Sequence, residues 1–193
     1  NLNKKFNNFK VWCAASTHNS EEIFISNLHK DLKKNEKKLL TIIIPRHINR
    51  SKNIINNLTD DNLNVITHSS DKKLEKNTDI YLVDTYGEAS RFYNLSKVTF
   101  MGGSMIKHGG QNPLEPARLG NYIISGPNIE NFREIYKFLE KNRMSIITSN
   151  TTKMKKIISM RLNKKLSNHN KKKIFKIGDR ILNKNISYIS KYI

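Results

Sequence analysis

Apolar residues occur along this chain in short continuous runs, separated by polar stretches in which apolar positions recur at helical spacing. Val11 to Ala15 is the first run. After Ser20-Glu21-Glu22, residues Ile23, Phe24, Ile25, Leu28 and Leu32 fit an amphipathic helix with acidic residues in its first turn. Leu39 to Ile44 is a continuous run, apolar but for Thr41, that ends at Pro45, the pattern of a parallel strand covered on both faces, and Ile48 to Leu58 reads as a weaker helix. Val65-Ile66, Ile80 to Val83, Val98 to Met101, Tyr122 to Ser125 and Ser145 to Thr148 predict further strands. Between the later ones, Gly87 to Leu95, Pro113 to Leu119 and Asn131 to Asn142 predict helices. Such alternation specifies an α/β domain with a mainly parallel sheet, because parallel strands need crossover connections. In these sheets ligands bind outside the carboxyl ends of the strands. Chemistry is therefore expected in the loops holding Ser16-Thr17-His18, Pro45-Arg46-His47, Asp84 to Glu88 and Gly102-Gly103-Ser104.

At 193 residues the chain suits one domain with a proper core plus a tail. It begins at Asn1, with Lys4, Lys5 and several Asn ahead of Val11, so residues 1–10 are expected to be a linker from a missing N-terminal domain. Residues 11–150 form the expected α/β domain and 151–193 a set of basic C-terminal helices. No stretch approaches the roughly 18 to 20 apolar residues of a membrane-spanning helix, and no charged-then-apolar signal segment opens the chain. The lone cysteine, Cys13, sits in an apolar run and has no internal disulfide partner.

The net charge of +19 suggests an anionic partner, although coding bias toward Lys, Asn and Ile produces the same composition. Thr151 to Ile193 holds eleven lysines, two arginines and one aspartate, so +12 of the charge lies there and +7 in the first 150 residues. Ile174, Ile177, Ile181 and Tyr188 are close to helical spacing, which suits amphipathic helices packed on the domain or a basic face resting on anionic lipid. Aromatics are not interleaved with the lysine clusters, and no nucleic-acid motif appears, which speaks against a basic nucleic-acid-binding module.

The segment from Met101 to Ala117 is the most informative. Four of the eight glycines fall in it, directly after a strand and before a helix that Asn112 would cap and Pro113 would start. Glycine lets the backbone approach a ligand, and free N–H groups at a helix start suit a phosphate; ordinary turns also need glycine pairs. Glu115 lies three residues after Asn112, as a capping-box partner or as a carboxylate accepting from ribose hydroxyls, and spacing alone leaves both open. Arg46, just after a buried-type strand, suits bidentate binding of phosphate or carboxylate, or a surface ion pair. His18 and His47 are not spaced with Cys or Asp as metal ligands, and no metal or cofactor is expected.

Six ordered segments together resemble the C-terminal domain of the bacterial Kdo (3-deoxy-D-manno-octulosonic acid) transferases. They are Ala14 to His18 with Glu21-Glu22; Pro45-Arg46-His47; Asp84 to Glu88 with Phe92-Tyr93; Gly102-Gly103-Ser104; His108 to Ala117; and Gly126-Pro127 with Asn131 to Glu134. The resemblance implies a Rossmann-like parallel sheet flanked by helices, the C-terminal half of an inverting GT-B glycosyltransferase, with a basic helical tail. It implies that CMP-Kdo is the donor and a lipid A precursor the acceptor. The acceptor site, the general base and a membrane anchor would lie in an N-terminal domain, at the cytoplasmic face of the inner membrane and its anionic surface. By that resemblance Arg46 binds the donor's phosphate or carboxylate, and Gly87 and Glu88 line the cytidine and sugar side. Gly102, Gly103 and Ser104 approach the phosphate, Asn112 holds phosphate and Glu115 holds ribose. Gln111 stands where the family usually has His. The alternatives are another GT-B nucleotide-sugar transferase or an epimerase.

Overall fold

Leu39 to Pro45 is apolar but for Thr41, and it becomes strand β2 near the middle of the sheet with every residue buried. The structure is a computed structural model describing residues 2–70 and 72–163. The other strands are β1 (Lys10–Thr17), β3 (Val65–Thr67), β4 (Ile80–Leu82), β5 (Val98–Met101), β6 (Tyr122–Ser125) and β7 (Ser145–Ile147). They pair in the order β3-β4-β2-β1-β5-β6-β7, and every pairing is parallel. The helices are α1 (Leu2–Phe6), α2 (Glu21–Lys33), α3 (Ser51–Asp60), α4 (Ala89–Tyr93), α5 (Leu114–Arg118), α6 (Arg133–Lys141) and α7 (Thr151–Leu162).

Because strand side chains alternate between faces, the sheet separates two apolar layers. Val11, Cys13 and Ala15 of β1 face a layer completed by Phe6, Phe92, Ala117, Tyr136 and Leu139, from α1, α4, α5 and α6. Trp12 and Ala14 face the other, closed by Ile25, Leu28, Ile54, Leu58, Met154 and Ile158 of α2, α3 and α7.

One expected boundary moves. The segment expected as a linker forms α1 and the start of β1, and Phe6 is buried, its ring 4.9 Å from that of Tyr81. Apolar Phe6 finds a place on the sheet, so the charge of Lys4 and Lys5 was a poor guide. The expected C-terminal helices begin at residue 151 as α7, and as far as residue 163 they are packed on the domain: Met154, Ile158 and Leu162 are fully or almost fully buried in the second layer. The tail positions Ile174 to Tyr188 lie outside the described residues.

The amino end of the sheet is tied by a polar network. His29 in α2 meets the Thr41 hydroxyl at 2.8 Å and the Asp79 carboxylate at 3.2 Å, and Lys33 pairs with Asp79 at 3.1 Å. Burial lowers the His29 pKa. Burial works to raise that of Asp79, yet hydrogen bonds from His29, the Asn64 N–H and Lys33 outweigh it and hold the group at about 2.

At the other end, the strand order reverses direction between β1 and β5, since β2 lies on one side of β1 and β5 on the other. The crossovers from these two strands run to opposite sides of the switch point, whose crevice is where doubly wound sheets place ligands.

Candidate functional site

β1 does not run straight into the crevice. Ser16 takes a left-handed conformation (φ 54°) and drops out of register with β2, so that Ala15 pairs with Ile44 and Thr17 with Pro45. The bulge re-aims the chain, and Thr17 then anchors two neighbours: its carbonyl accepts the Arg46 N–H (3.0 Å) and its hydroxyl donates to Glu22 (2.9 Å). Glu22 also accepts both guanidinium nitrogens of Arg50, at 3.1 and 3.0 Å.

Glu21, with no solvent exposure, is the centre of the crevice floor. Its carboxylate accepts the backbone N–H groups of His18 (3.0 Å), Gly103 (2.7 Å), Ser104 (3.1 Å) and Met105 (3.0 Å). Four donors converging on one carboxylate offset the cost of burying its charge. They also join the start of α2 to the turn after β5. Here the structure departs from expectation. The N–H groups of Gly103 and Ser104, expected to meet a ligand phosphate, are already taken by a side chain of the same chain. The Ser104 hydroxyl is committed too, donating to the Met101 carbonyl (2.6 Å) and accepting from the Gly126 N–H (2.8 Å).

Glycine at 102 and 126 has a steric reason of the same kind. A Cβ on Gly102 would stand 2.2 Å from the Ser16 carbonyl oxygen, and one on Gly126 would stand 2.3 Å from that of Ser104. The close approach is between loop and loop, so these glycines let the crevice walls interlock. An acid in the first turn of a helix was visible in the sequence; that it would reach across to a glycine turn 82 residues away was not.

Above this floor the loop opens. Asn112 is exposed, and its side-chain oxygen accepts the Leu114 N–H at 3.0 Å, but the cap position falls on Pro113 and α5 starts at Leu114, one residue later than expected. Glu115 is exposed and its carboxylate has no hydrogen bond or ion pair with any described residue, which removes the capping-box role. Arg46 is exposed, and its guanidinium has no described partner. Glu88 is placed further along the sheet edge, on the loop after β4, where it pairs with Arg91 (2.7 Å) and His68 (2.9 Å). The hydrogen bonds from Arg91 hold its pKa below the ordinary value. Gly87 beside it has φ 79° and open space where a Cβ would go.

Three imidazoles close the group. The His18 ring lies 4.1 Å from that of His108 and 6.0 Å from that of His47, and Gln111 Nε2 stands 3.1 Å from His18 Nε2. Burial, then the positive fields of His108, His47, Arg50 and Arg46, bring the His18 pKa down to about 4, so the ring is neutral at pH 7. Taken as a lone loop histidine, His18 reads as solvated; its burial and its link to Gln111 are long-range and leave no local signal. No group of three or more His, Cys, Asp or Glu placed to hold a metal ion occurs among the described residues.

An all-parallel sheet with polar loops at its strand reversal defines a Rossmann-like, doubly wound domain whose ligand edge lies at the switch point. The rhamnosyltransferase SpnG of spinosyn shares the fold, with a TM-score of 0.50 at 10% identity over 91% of this chain and 42% of that one. More specific is the crystal structure of the C-terminal CMP-Kdo binding domain of WaaA from Acinetobacter baumannii. It matches with a TM-score of 0.78 and 30% identity, covering 83% of this chain and 85% of that one. The 3-deoxy-D-manno-octulosonic acid transferase of Haemophilus influenzae is 34% identical over 158 residues, 81% of this chain and 37% of that protein. The Rickettsia felis transferase of the same name is 32% identical over 198 residues, spanning 100% of this chain and 42% of its own length. No family model matches. The chain belongs to the 3-deoxy-D-manno-octulosonic acid transferase family and corresponds to its C-terminal domain. It spans about two fifths of the length of these curated relatives.

Proposed function

We propose that this chain binds CMP-Kdo in the crevice between β1 and β5, as the donor half of a transferase moving Kdo onto a lipid A precursor. The observation that carries the reading is the pairing of a preformed floor with unpartnered Arg46 and Glu115 above it, in a domain matching the CMP-Kdo binding domain of WaaA. CMP-Kdo offers a phosphate, a sugar carboxylate and ribose hydroxyls. Arg46 suits either anion, Asn112 has its amide N–H groups for the phosphate, and Glu115 has both oxygens for the ribose. Gly87 and Glu88 line the cytidine and sugar side in this reading. Gly102, Gly103 and Ser104 hold the floor's shape and meet the donor by proximity rather than through their N–H groups.

As the bond to the sugar breaks, negative charge grows on the departing CMP and positive charge on the sugar ring. A positive charge beside the leaving phosphate lowers that barrier, and this is the role assigned to Arg46. The general base and the lipid acceptor site are assigned to the part of the relatives outside the matched span. Localisation at the cytoplasmic face of the inner membrane is part of the same proposal, supported by the +19 charge, which suits an anionic surface. No helix among the described residues is long and apolar enough to cross a membrane.

Titration calorimetry of this chain with CMP, UDP and GDP tests the donor. CMP is expected to bind at least about tenfold tighter than the other two, a difference of about 1.4 kcal/mol. Preference for UDP overturns the reading in favour of another nucleotide sugar.

A further inference from the structure

Arg46, Asn112 and Glu115 account for the anion and the ribose of the donor, while the imidazole beside them has no role so far. His18 is 8% exposed, and it is held once at its backbone and once at its ring. Its backbone N–H is bound by Glu21, and its Nε2 faces Gln111 Nε2 at 3.1 Å. An amide nitrogen only donates, so Nε2 of His18 accepts and carries no proton. Gln111 is itself held in place, since its carbonyl accepts the Tyr136 hydroxyl (3.2 Å) and the preceding Gly110 N–H is bound to the Gly103 carbonyl (2.8 Å). Gln111 Nε2, His108 Nδ1 and His18 Cδ2 all lie 3.4 Å from the position a Cβ would take on Gly103, so the three side chains meet over that glycine.

A neutral imidazole with a bare Nε2 carries its proton on Nδ1. That N–H has no hydrogen-bond partner among the described residues, and it is not among the sealed, unsatisfied groups of the interior, which are Trp12 Nε1, Thr85 Oγ1 and Ser145 Oγ. The groups around the ring are His108, His47, Arg50 and Arg46, all of them donors or cations toward an anion.

We infer that Gln111 is a positioning residue that sets the tautomer of His18, so that the ring offers its Nδ1–H to an anionic oxygen of the ligand in this crevice. The inference rests on the donor reading for the identity of that oxygen, a phosphate or carboxylate of a CMP-linked sugar. It concerns neutral hydrogen bonding and needs no protonated histidine.

The tautomer is read directly from the side-chain nitrogen resonances of the 15N-labelled chain, with no ligand added. A pyridine-type Nε2 and a pyrrole-type Nδ1 on His18 are expected, and Gln111→Leu is expected to mix the two forms. The Nδ1 resonance of the unaltered chain is then followed on adding CMP and, separately, inorganic phosphate. Asparagine places its amide nitrogen near the Nδ1 position and glutamine near the Nε2 position. His18→Asn should therefore keep CMP affinity within about threefold, whereas His18→Gln should lose about tenfold, the worth of one hydrogen bond to a charged group. Thermal melts of each variant separate loss of fold from loss of the donor. A pyrrole-type Nε2 in the unaltered chain overturns the inference, as does an Nδ1 resonance that responds to neither anion. A response to phosphate without CMP binding supports the inference while removing the donor reading.

Discussion

The loop between β5 and α5 has two halves built for opposite purposes. From Gly102 to Met105 every feature is turned inward: three consecutive N–H groups are bound by Glu21, the Ser104 hydroxyl is used twice, and Gly102 is pressed against the Ser16 carbonyl. From Gln111 to Glu115 the chain turns outward, with Asn112 and Glu115 exposed, while Gln111 is linked back through His18 and Tyr136 and Pro113 is buried. Glycine and polar residues occupy both halves, yet only the outward one has groups left for a ligand. Composition marks where a site is; the hydrogen-bond inventory decides which part of it is scaffold.

The contrast is open to breakage. Glu21→Ala has the largest expected effect: four buried N–H groups lose their acceptor, and urea unfolding should show a loss of about 4 kcal/mol or more. Gly102→Ala comes next, at about 2 to 3 kcal/mol by the same measurement, because the new methyl collides with backbone that is itself held. On the outward half the balance reverses. Arg46→Ala should change stability by less than about 0.5 kcal/mol and weaken CMP-Kdo binding about 30-fold, read by calorimetry. Glu115→Ala should behave alike with a loss of about tenfold. Binding losses from the inward variants without loss of stability would erase the distinction.

The smallest effect is on pH. His18 titrates at about 4 when folded against an ordinary value of 6.5, and burial shifts His29 in the same direction. The unfolded chain therefore takes up these protons first as pH falls. Stability is complete above about 6.5 and declines between there and about 4, and His18→Gln should flatten part of that decline in melting curves taken across the range.

The apolar runs from Val11 to Ile147 were enough to predict the sheet, because parallel strands buried on both faces need continuous hydrophobic stretches. Arg46, Asn112 and Glu115 were legible for a related reason: loops at the carboxyl ends of such strands must gather at one edge. Glu21 was legible only as a helix-start acid, and His18 only as a polar loop residue, since the partners that define them lie 82 and 93 residues away. The same limit applies to Phe6 and to Met154, whose burial is decided by a sheet surface that no local window contains.

The Glu21 clamp also bears on how fast a ligand can arrive. An internal carboxylate keeps the β5 turn and the α2 start in one arrangement before any donor enters, so these two segments need no ordering on binding and little conformational entropy is lost there. Association should accordingly be a single step whose rate rises in proportion to ligand concentration, without the plateau that a slow closing motion would impose.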